Sequence, residues 1–246
     1  MKAYLNENRL VYLSDTDYSG YLSVPSMFRY FQDIATCHAD ILGVGYQNMI
    51  KKNMFWVAVK TIVEIKNRPY VNDNIILETF PSEPVKLRCD RNYNIYDFKG
   101  DIMIQAKTEW TVINFITKRP EQFREVYPSN IEYVDDKPIL LTNYSKYDQL
   151  SADYNKVCEY KVVSTDLDLG MHLNNAEYIR IIFSLYKTEE LKNMNITKVE
   201  INYKSPAYEG EVITFYKKES TYSDEFIVLN KDDKVVINAI ILKEKN

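Results

Sequence analysis

One histidine lies in a short stretch rich in acidic and amide side chains, STDLDLGMHLNNAEY at residues 164–178. The chain has only two histidines, and this one, His172, follows Asp168 by four positions and precedes Asn174 and Asn175. Histidine is the side chain best suited to take up and release a proton near neutral pH. An aspartate four residues earlier can orient it if the loop folds back. The stretch therefore predicts acid–base chemistry by His172 with Asp168 as its partner.

The residues after His172 are typical of a helix N-terminus. Asn174 or Asn175 can cap the helix, because an amide oxygen accepts the free backbone N–H groups of the first turn. Apolar residues then recur at helical spacing, at Tyr178, Ile181, Ile182 and Leu185. The N–H groups and partial positive charge of a helix N-terminus stabilise an oxyanion. We therefore predict that Asn174 and Asn175 also belong to the catalytic site.

Composition limits the classes of protein that can carry this stretch. The 246 residues are 46% hydrophobic and 27% charged with a net charge of −4, which is ordinary for a globular chain and gives no basic footprint for nucleic acid. We see no membrane-spanning run and no signal-peptide core, and the three separated cysteines suit a reducing compartment, so we expect a cytoplasmic protein. The histidines and cysteines lack ligand spacing, and no phosphate-binding GxxxxGK[ST] motif occurs, so we expect neither a metal nor a cofactor.

The stretch has a counterpart near the start of the chain. Asp15 and Asp17 precede Asp166 and Asp168 by 151 residues, and a helical pattern follows in both places. Tyr21 stands where the second copy has His172. Two copies with the same order of landmarks indicate a duplicated unit, in which the aspartates shape a turn and only the second copy carries the histidine.

Each unit is predicted to contain one long helix and several strands, an α+β plan. We expect a first domain at residues 1–143 and a second at 144–246, joined by the polar stretch Asp135–Ser151. The strand predictions, from alternation and turn signals, are Trp56–Ile65, Ile75–Phe80, Arg88–Asp97, Ile102–Phe115, Lys156–Val163, Lys198–Tyr203, Glu211–Lys218, Glu225–Asn230 and Lys234–Leu242.

These features together resemble a known family. The sequence looks like an acyl-ACP thioesterase of the plant and bacterial fatty-acid-synthesis type, a tandem (double) hotdog in which each unit is one long helix wrapped by an antiparallel sheet. The resemblance rests on the following segments: Asp17, Gly20 and Leu22, Tyr30–Ala35 with His38-Ala39, Phe55-Trp56-Val57, Arg119-Pro120, Asp166-Leu167-Asp168, and His172-Leu173-Asn174-Asn175 with Tyr178.

The resemblance implies hydrolysis of the thioester that joins a fatty acyl chain to acyl carrier protein (ACP). It also implies a catalytic set D-x-N-x-H with a carboxylate about 34 residues after the histidine. This chain keeps Asp168 and His172, but Gly170 replaces the asparagine and Pro206 the carboxylate, so the set is reduced. The carboxylates nearest in sequence are Glu177, Glu200, Glu209 and Glu211.

The same resemblance implies an acyl chain in the first unit, with Met27, Phe31, Phe55 and Trp56 as candidate lining residues. Docking of acidic ACP requires a local basic patch, for which Lys86, Arg88 and Arg91, or Lys66 and Arg68, are candidates against the alternative of a merely solvated surface. Two other functions stay open, namely an acyl-ACP or acyl-CoA binding protein that has lost turnover and an acyl-CoA thioesterase. A monomer and a homodimer are both compatible with the sequence.

Overall fold

The structure, a computed structural model, describes residues 3–147 and 149–245. The chain divides into two compact units. One comprises the residues up to Thr61 together with Lys66–Thr142, and the other comprises Ile62–Ile65 and the residues from Asn143 onward. No helix of the described residues is both long and apolar enough to cross a membrane.

The first unit is built on helix α1, Val24–Ile41. The helix begins where the sequence predicts, because the Ser23 side chain accepts the Ser26 N–H. It ends before Gly43, whose φ of 73° is a left-handed conformation that glycine adopts without steric cost. The predicted apolar residues form the buried face of α1, including Val24, Met27, Phe28, Phe31 and Ala35. A short helix, α2, follows at Tyr46–Lys51.

An antiparallel sheet covers α1 in this unit. Its strands are β1 (Leu5–Leu10), β2 (Met54–Ile65), β3 (Asn74–Pro81), β4 (Cys89–Tyr96), β5 (Ile102–Asn114) and β6 (Arg119–Pro120); the last four residues of β2 are grouped with the other unit. They are ordered β1-β3-β4-β5-β2, with β6 beside β5. Phe31 of α1 packs on Tyr93 of β4 with ring centroids 4.9 Å apart, and both side chains are buried, so the apolar face of α1 joins the sheet in one core.

The second unit follows the same plan with a shorter helix. Helix α3 spans Asn175–Ser184 and α4 spans Thr188–Lys192. The strands are β7 (Asn155–Lys161), β8 (Met194–Tyr203), β9 (Val212–Glu219), β10 (Ser223–Leu229) and β11 (Val235–Lys245), in the order β8-β11-β10-β9-β7. The predicted turn between β10 and β11 contains Asp233 in the left-handed region, with φ 57°.

The α+β prediction is confirmed, and all predicted strands occur within a few residues of the expected bounds. A short strand was expected before the first helix without bounds, and β1 is that strand; β6, α2 and α4 were not predicted, because each is too short to show a period. The second helix was expected to be long but has ten residues. The linker stretch 135–151 forms no helix or strand in its described residues; Asp148 lies outside them.

The duplication is confirmed at the level of single hydrogen bonds. An antiparallel bridge joins Thr16 to Leu22 in the first unit, and an equivalent bridge joins Leu167 to Leu173 in the second. Further backbone hydrogen bonds recur with the same offset; those of the second unit include Asp168 N to His172 O, Met171 N to Asp168 O, and Asn174 N to Asp166 O. The loop before each helix therefore has one construction in both units.

Candidate active site

His172 and Asp168 lie on opposite sides of a tight loop. After a 3-10 turn at Ser164–Asp166, the bridge between Leu167 and Leu173 brings the two ends of the loop together. The Asp168 N–H then donates to the His172 carbonyl at 2.9 Å. The loop thus folds back as the predicted partnership of the two side chains requires.

Gly170 lies next to both side chains. A Cβ atom at this position would lie 3.1 Å from Asp168 Oδ1 and 3.1 Å from His172 Nδ1. The two atoms are therefore at most twice that distance apart, and both lie next to the position that a side chain would occupy. Asp168 Oδ1 also accepts the Gly170 N–H at 2.7 Å, which fixes the carboxylate over the loop. Gly170 keeps the space that both groups occupy.

The left-handed residue of the loop is not Gly170 but Met171, with φ 60°. The equivalent residue of the first unit is Gly20, with φ 79°. A left-handed conformation costs a residue with a Cβ about 1–2 kcal/mol. The second loop keeps this strained backbone and places its glycine one position earlier, beside Asp168 and His172.

One backbone donor at the start of α3 remains available. Asn174 is the N-cap, and its side-chain oxygen accepts the Ala176 N–H at 2.9 Å. The Asn174 N–H donates to Asp166, and the Glu177 N–H donates to Asn174. Among the described residues, the Asn175 N–H has no acceptor. The N–H groups that open a helix are its anion-binding groups; within the described part of the chain, Asn174, Ala176 and Glu177 use theirs internally, and the Asn175 N–H does not.

Tyr208, Tyr178 and Glu211 complete the surroundings of the loop. The His172 ring packs edge-on against Tyr208 with centroids 5.0 Å apart, and Glu211 Oε2 accepts the Tyr208 N–H at 3.0 Å. Burial raises the pKa of the Tyr178 hydroxyl, and the charges of Glu211 and Asp168 raise it further. A hydrogen bond from the Ala207 backbone lowers this pKa but does not outweigh the other effects. Sequence reasoning did not single out these two tyrosines as site residues, because tyrosine is common throughout the chain.

The other candidate carboxylates have structural partners or lie apart. Glu200 is buried and accepts from the Ser145 N–H at 2.6 Å and from Tyr147. Glu177 forms an ion pair with Arg180, which is the surface pairing that its spacing predicts. Glu209 is exposed. Glu211 is the carboxylate whose contacts reach the residues around His172.

The first unit shows what the same loop does without a histidine. Arg68 forms an ion pair with Asp17 and donates to the Leu22 carbonyl at 2.9 Å. The Tyr21 ring packs edge-on against Tyr70, as His172 packs against Tyr208. The hydrogen bonds of Leu22 to Pro69 and of Leu173 to Ala207 align these segments at an offset of 138.

This alignment moves the counterpart of Pro206 by one residue. By sequence, Pro69 aligns with Pro206 at an offset of 137, whereas the structure pairs Pro69 with Ala207 and therefore Arg68 with Pro206. The second unit has a proline where the first has the cation that neutralises Asp17. Among the described residues no ion pair holds Asp168, and its Oδ1 accepts the backbone N–H groups of Gly170 and His172.

The predicted acyl-lining residues occupy different places in the first unit. Met27 and Phe31 are buried in the core, and Phe55 is half-buried in β2. Trp56 lines a cavity of about 90 Å³ together with Trp110, Cys89, Arg91 and Tyr127. The structure thus brings only Trp56 of the four to the wall of that cavity.

The basic residues proposed for docking of ACP also differ in their burial and in their ion pairs. Arg91 is only 5% exposed, so its assignment to a surface patch was wrong: β4 directs it inward. Arg68 is engaged with Asp17, and Arg88 pairs with Glu109 at 3.0 Å. No group of three or more metal-ligating side chains occurs among the residues that the structure describes.

Comparison with known proteins identifies relatives for nearly the whole chain. A family model described as "Acyl-ACP thioesterase N-terminal domain" matches residues 3–130, and one described as "Acyl-ACP thioesterase C-terminal domain" matches residues 150–243. The palmitoyl-acyl carrier protein thioesterase of Arabidopsis thaliana is 27% identical over 191 residues, 71% of this chain and 46% of the relative. The chain thus spans about half the length of the curated relatives it matches.

Solved structures establish the fold. An acyl-ACP thioesterase from Bacteroides thetaiotaomicron superposes with a TM-score of 0.88 at 22% identity, covering 98% of each chain. The 12:0-ACP thioesterase from Umbellularia californica superposes with a TM-score of 0.82 at 16% identity, covering 99% of this chain and 98% of that one. The double hotdog expected from the sequence is confirmed.

Proposed function

This chain belongs to the acyl-ACP thioesterase family, and we propose that it hydrolyses fatty acyl-ACP to a free fatty acid and ACP. The observation that supports this most directly is the loop of the second unit, where Asp168 and His172 flank Gly170 at the start of α3. The curated relatives in the comparison carry thioesterase or hydrolase names for acyl carrier protein substrates.

In the proposed mechanism His172 acts as the general base. Asp168 lies on the Nδ1 side of the ring and favours the proton there, which leaves Nε2 to accept a proton from water. The water oxygen attacks the thioester carbonyl carbon, and the negative charge develops on the carbonyl oxygen. The tetrahedral intermediate then expels the thiolate, and His172 returns the proton to the sulfur. The products are a carboxylic acid and the free thiol of ACP.

The Asn175 N–H supplies the oxyanion donor in this proposal. It lies at the positive end of α3 and has no acceptor among the described residues. Removing one oxyanion donor typically costs about 100- to 1000-fold in rate. Because Gly170 has no side-chain amide, backbone donors carry this task. Asn174 has a positioning role, since its oxygen holds the first turn in place.

Glu211 takes the place of the missing carboxylate in the proposed site. Its oxygen holds the Tyr208 backbone, and Tyr208 packs against the His172 ring. Its charge also acts on Tyr178, beside Asp168. Glu211 is therefore a positioning residue, acting on His172 through Tyr208.

A binding protein without turnover is the second candidate, and Gly170 and Pro206 favour it because they depart from the family's set. An acyl-CoA thioesterase is the third. Thiol release from acyl-ACPs of several chain lengths and from the matching acyl-CoAs separates the three. Hydrolysis of acyl-ACP alone supports the proposal, whereas acyl-ACP binding without thiol release supports the second candidate.

The same assay tests the role of His172. We expect His172→Ala to lower turnover about 100-fold or more, because general base catalysis contributes about 100- to 10,000-fold. His38→Ala would be a poor control, since His38 is buried; Tyr21→Ala changes the equivalent loop position in the first unit and should leave turnover within a few-fold. Normal turnover of a folded His172→Ala variant would refute the assignment.

A further inference from the structure

One end of the first unit presents cations without counter-ions. Helix α2 ends at Lys51 and is followed by Lys52, and the hairpin between β5 and β6 carries Lys118 and Arg119. All four side chains are exposed. Within residues 3–147 and 149–245, none of them forms an ion pair. The surrounding segments, residues 41–60 and 110–120, contain no aspartate or glutamate, so the positive charge is not neutralised locally.

Backbone hydrogen bonds hold the helix end and the hairpin side by side. The Asn53 N–H donates to the Ile50 carbonyl at 2.9 Å, and the Phe115 N–H donates to the Asn53 carbonyl at 2.9 Å. A single residue therefore joins the end of α2 to the end of β5. Both segments belong to the first unit, so the four cations lie together on one surface.

The same surface carries exposed apolar side chains. Ile116 is 67% exposed in the β5–β6 hairpin, and Ile50 is 36% exposed on α2. The Asn114 side-chain oxygen accepts the N–H groups of Ile116 and Thr117 at 3.0 and 3.1 Å, and the Asn114 carbonyl accepts the Lys118 N–H at 2.8 Å. The hairpin is thus an ordered turn that holds Ile116 out from the sheet.

This combination is typical of a surface that enters the headgroup layer of a membrane. Lone exposed isoleucines are ordinary, but here two of them lie among cations, which bind lipid phosphates while apolar side chains enter the boundary below. The net charge of the chain is −4, so the protein as a whole is repelled by an anionic surface. Salt screens charges beyond about 10 Å, and attraction must therefore come from a local patch.

We propose that this basic tip, formed by Ile50, Lys51, Lys52, Ile116, Lys118 and Arg119, docks on a membrane surface rich in anionic lipids. Each cation near such a surface raises the partition coefficient about five-fold, and the isoleucines add apolar burial. An acidic protein would also match the cations but would need a pocket for the protruding Ile116. A lipid layer receives that side chain without one. The proposal does not depend on the proposed function.

Co-sedimentation of the full chain with vesicles tests this docking. One set of vesicles contains phosphatidylcholine alone, and the other contains equal parts of phosphatidylcholine and phosphatidylglycerol. We expect saturable binding to the mixture, at least about 10-fold stronger than to phosphatidylcholine alone and weaker as the salt concentration rises. Equal binding to the two sets, or binding to neither, overturns the proposal.

Variants separate the basic tip from the overall charge. The double variant Lys51→Gln with Lys118→Gln should lower the partition coefficient about 25-fold, because it removes two cations. The matched control, Lys231→Gln with Lys234→Gln, removes two exposed lysines from the turn between β10 and β11 and should leave binding unchanged. Equal losses in the two double variants would show that binding follows net charge, which overturns the proposal.

The isoleucine at the hairpin gives an independent readout. Ile116→Ser keeps every charge and should still lower the partition coefficient about five-fold or more, because it removes apolar burial in the lipid. Since Ile116 is largely exposed, the fold should tolerate the change. Unchanged binding of this variant would show that the surface meets the lipid through charge alone, which contradicts insertion of the hairpin.

Acyl-ACP is the alternative occupant, and this arm alone uses the proposed function. Without vesicles, Lys51→Gln with Lys118→Gln should hydrolyse acyl-ACP with the KM of the wild type. A KM raised about 10-fold or more, together with no vesicle binding by the wild type, would assign the basic tip to ACP and overturn the membrane proposal. Absence of all hydrolysis would refute the proposed function and leave the vesicle result standing.

Discussion

Gly170→Ala is the most informative single change, because it should separate activity from stability. The added Cβ would lie 3.1 Å from both Asp168 Oδ1 and His172 Nδ1, whereas ordinary contacts to a Cβ begin near 3.4 Å. Each side chain must therefore retreat by about 0.3 Å. A displacement of about 1 Å costs about 100-fold in rate, so a few tenths on each side should lower kcat/KM about 5- to 10-fold, or about 1 kcal/mol.

The same change should not destabilise the fold. Gly170 does not have a left-handed φ, so alanine fits its backbone and restricts the unfolded chain, which stabilises a protein by about 0.4–1 kcal/mol. Thiol release with acyl-ACP gives the activity, and urea unfolding gives the stability. Ser19→Ala is the matched control in the first unit, where no histidine follows, and it should leave the rate unchanged. Full activity in a folded Gly170→Ala variant would refute the view that Gly170 reserves space for the pair.

Three further predictions concern charge and backbone. Asp168→Asn should lower turnover about 10-fold or more, since the base loses its charged partner. Asp17→Asn removes an ion pair of partly exposed groups, so it should lower the free energy of unfolding by about 1 kcal/mol and leave turnover unchanged. Equal turnover in the two variants would contradict their different roles. Met171→Gly should raise the free energy of unfolding by about 0.5–1 kcal/mol in urea titrations, because glycine adopts the left-handed conformation of residue 171 without the steric cost that a Cβ imposes. A loss of stability in this variant would show that the loop is not strained there. The pKa of His38, lowered to about 3 in the folded chain, means that the unfolded chain binds a proton between about pH 6.5 and pH 3 that the folded chain does not. Stability from this group is complete above about pH 6.5 and is lost as pH falls, by up to about 1.4 kcal/mol per pH unit. Urea unfolding should show a lower free energy of unfolding at pH 5 than at pH 7 in the wild type and in His172→Gln, and a smaller difference in His38→Gln. An equal difference in all three proteins would refute the assignment of this pH dependence to His38.

Most of the fold could be predicted from hydrophobic periodicity and turn residues. The α1 stripe, the caps at Ser23 and Asn174, and the alternating strands could be predicted, because each rests on residues adjacent in sequence. The short elements α2 and α4 could not, since five or six residues do not show a helical period. The repeat was visible from two aspartates, but its register near Pro206 needed the backbone hydrogen bonds of Leu173.

The candidate site was only partly accessible from sequence. His172 and Asp168 stood out by rarity and spacing, but Gly170 was interpreted as a missing asparagine, and the space that it leaves depends on side-chain positions. Arg91 was interpreted as a surface residue because it follows Lys86 and Arg88. Its inward orientation follows from its phase in β4, where it shares a face with Cys89, which lines the same cavity, and with Tyr93, which packs on Phe31. A charged residue in phase with buried neighbours is the signal that could have located it.

The two loops show what a fused duplication permits. Were the two units identical copies in a symmetric pair, every substitution would occur in both loops at once, and the arginine that locks one aspartate would lock the other. Within one chain the copies can diverge independently. Arg68 secures the first loop, while its structural counterpart is Pro206 and the second loop carries the histidine. One copy can thus be selected for rigidity and the other for reactivity, a division that a symmetric assembly of identical units does not allow.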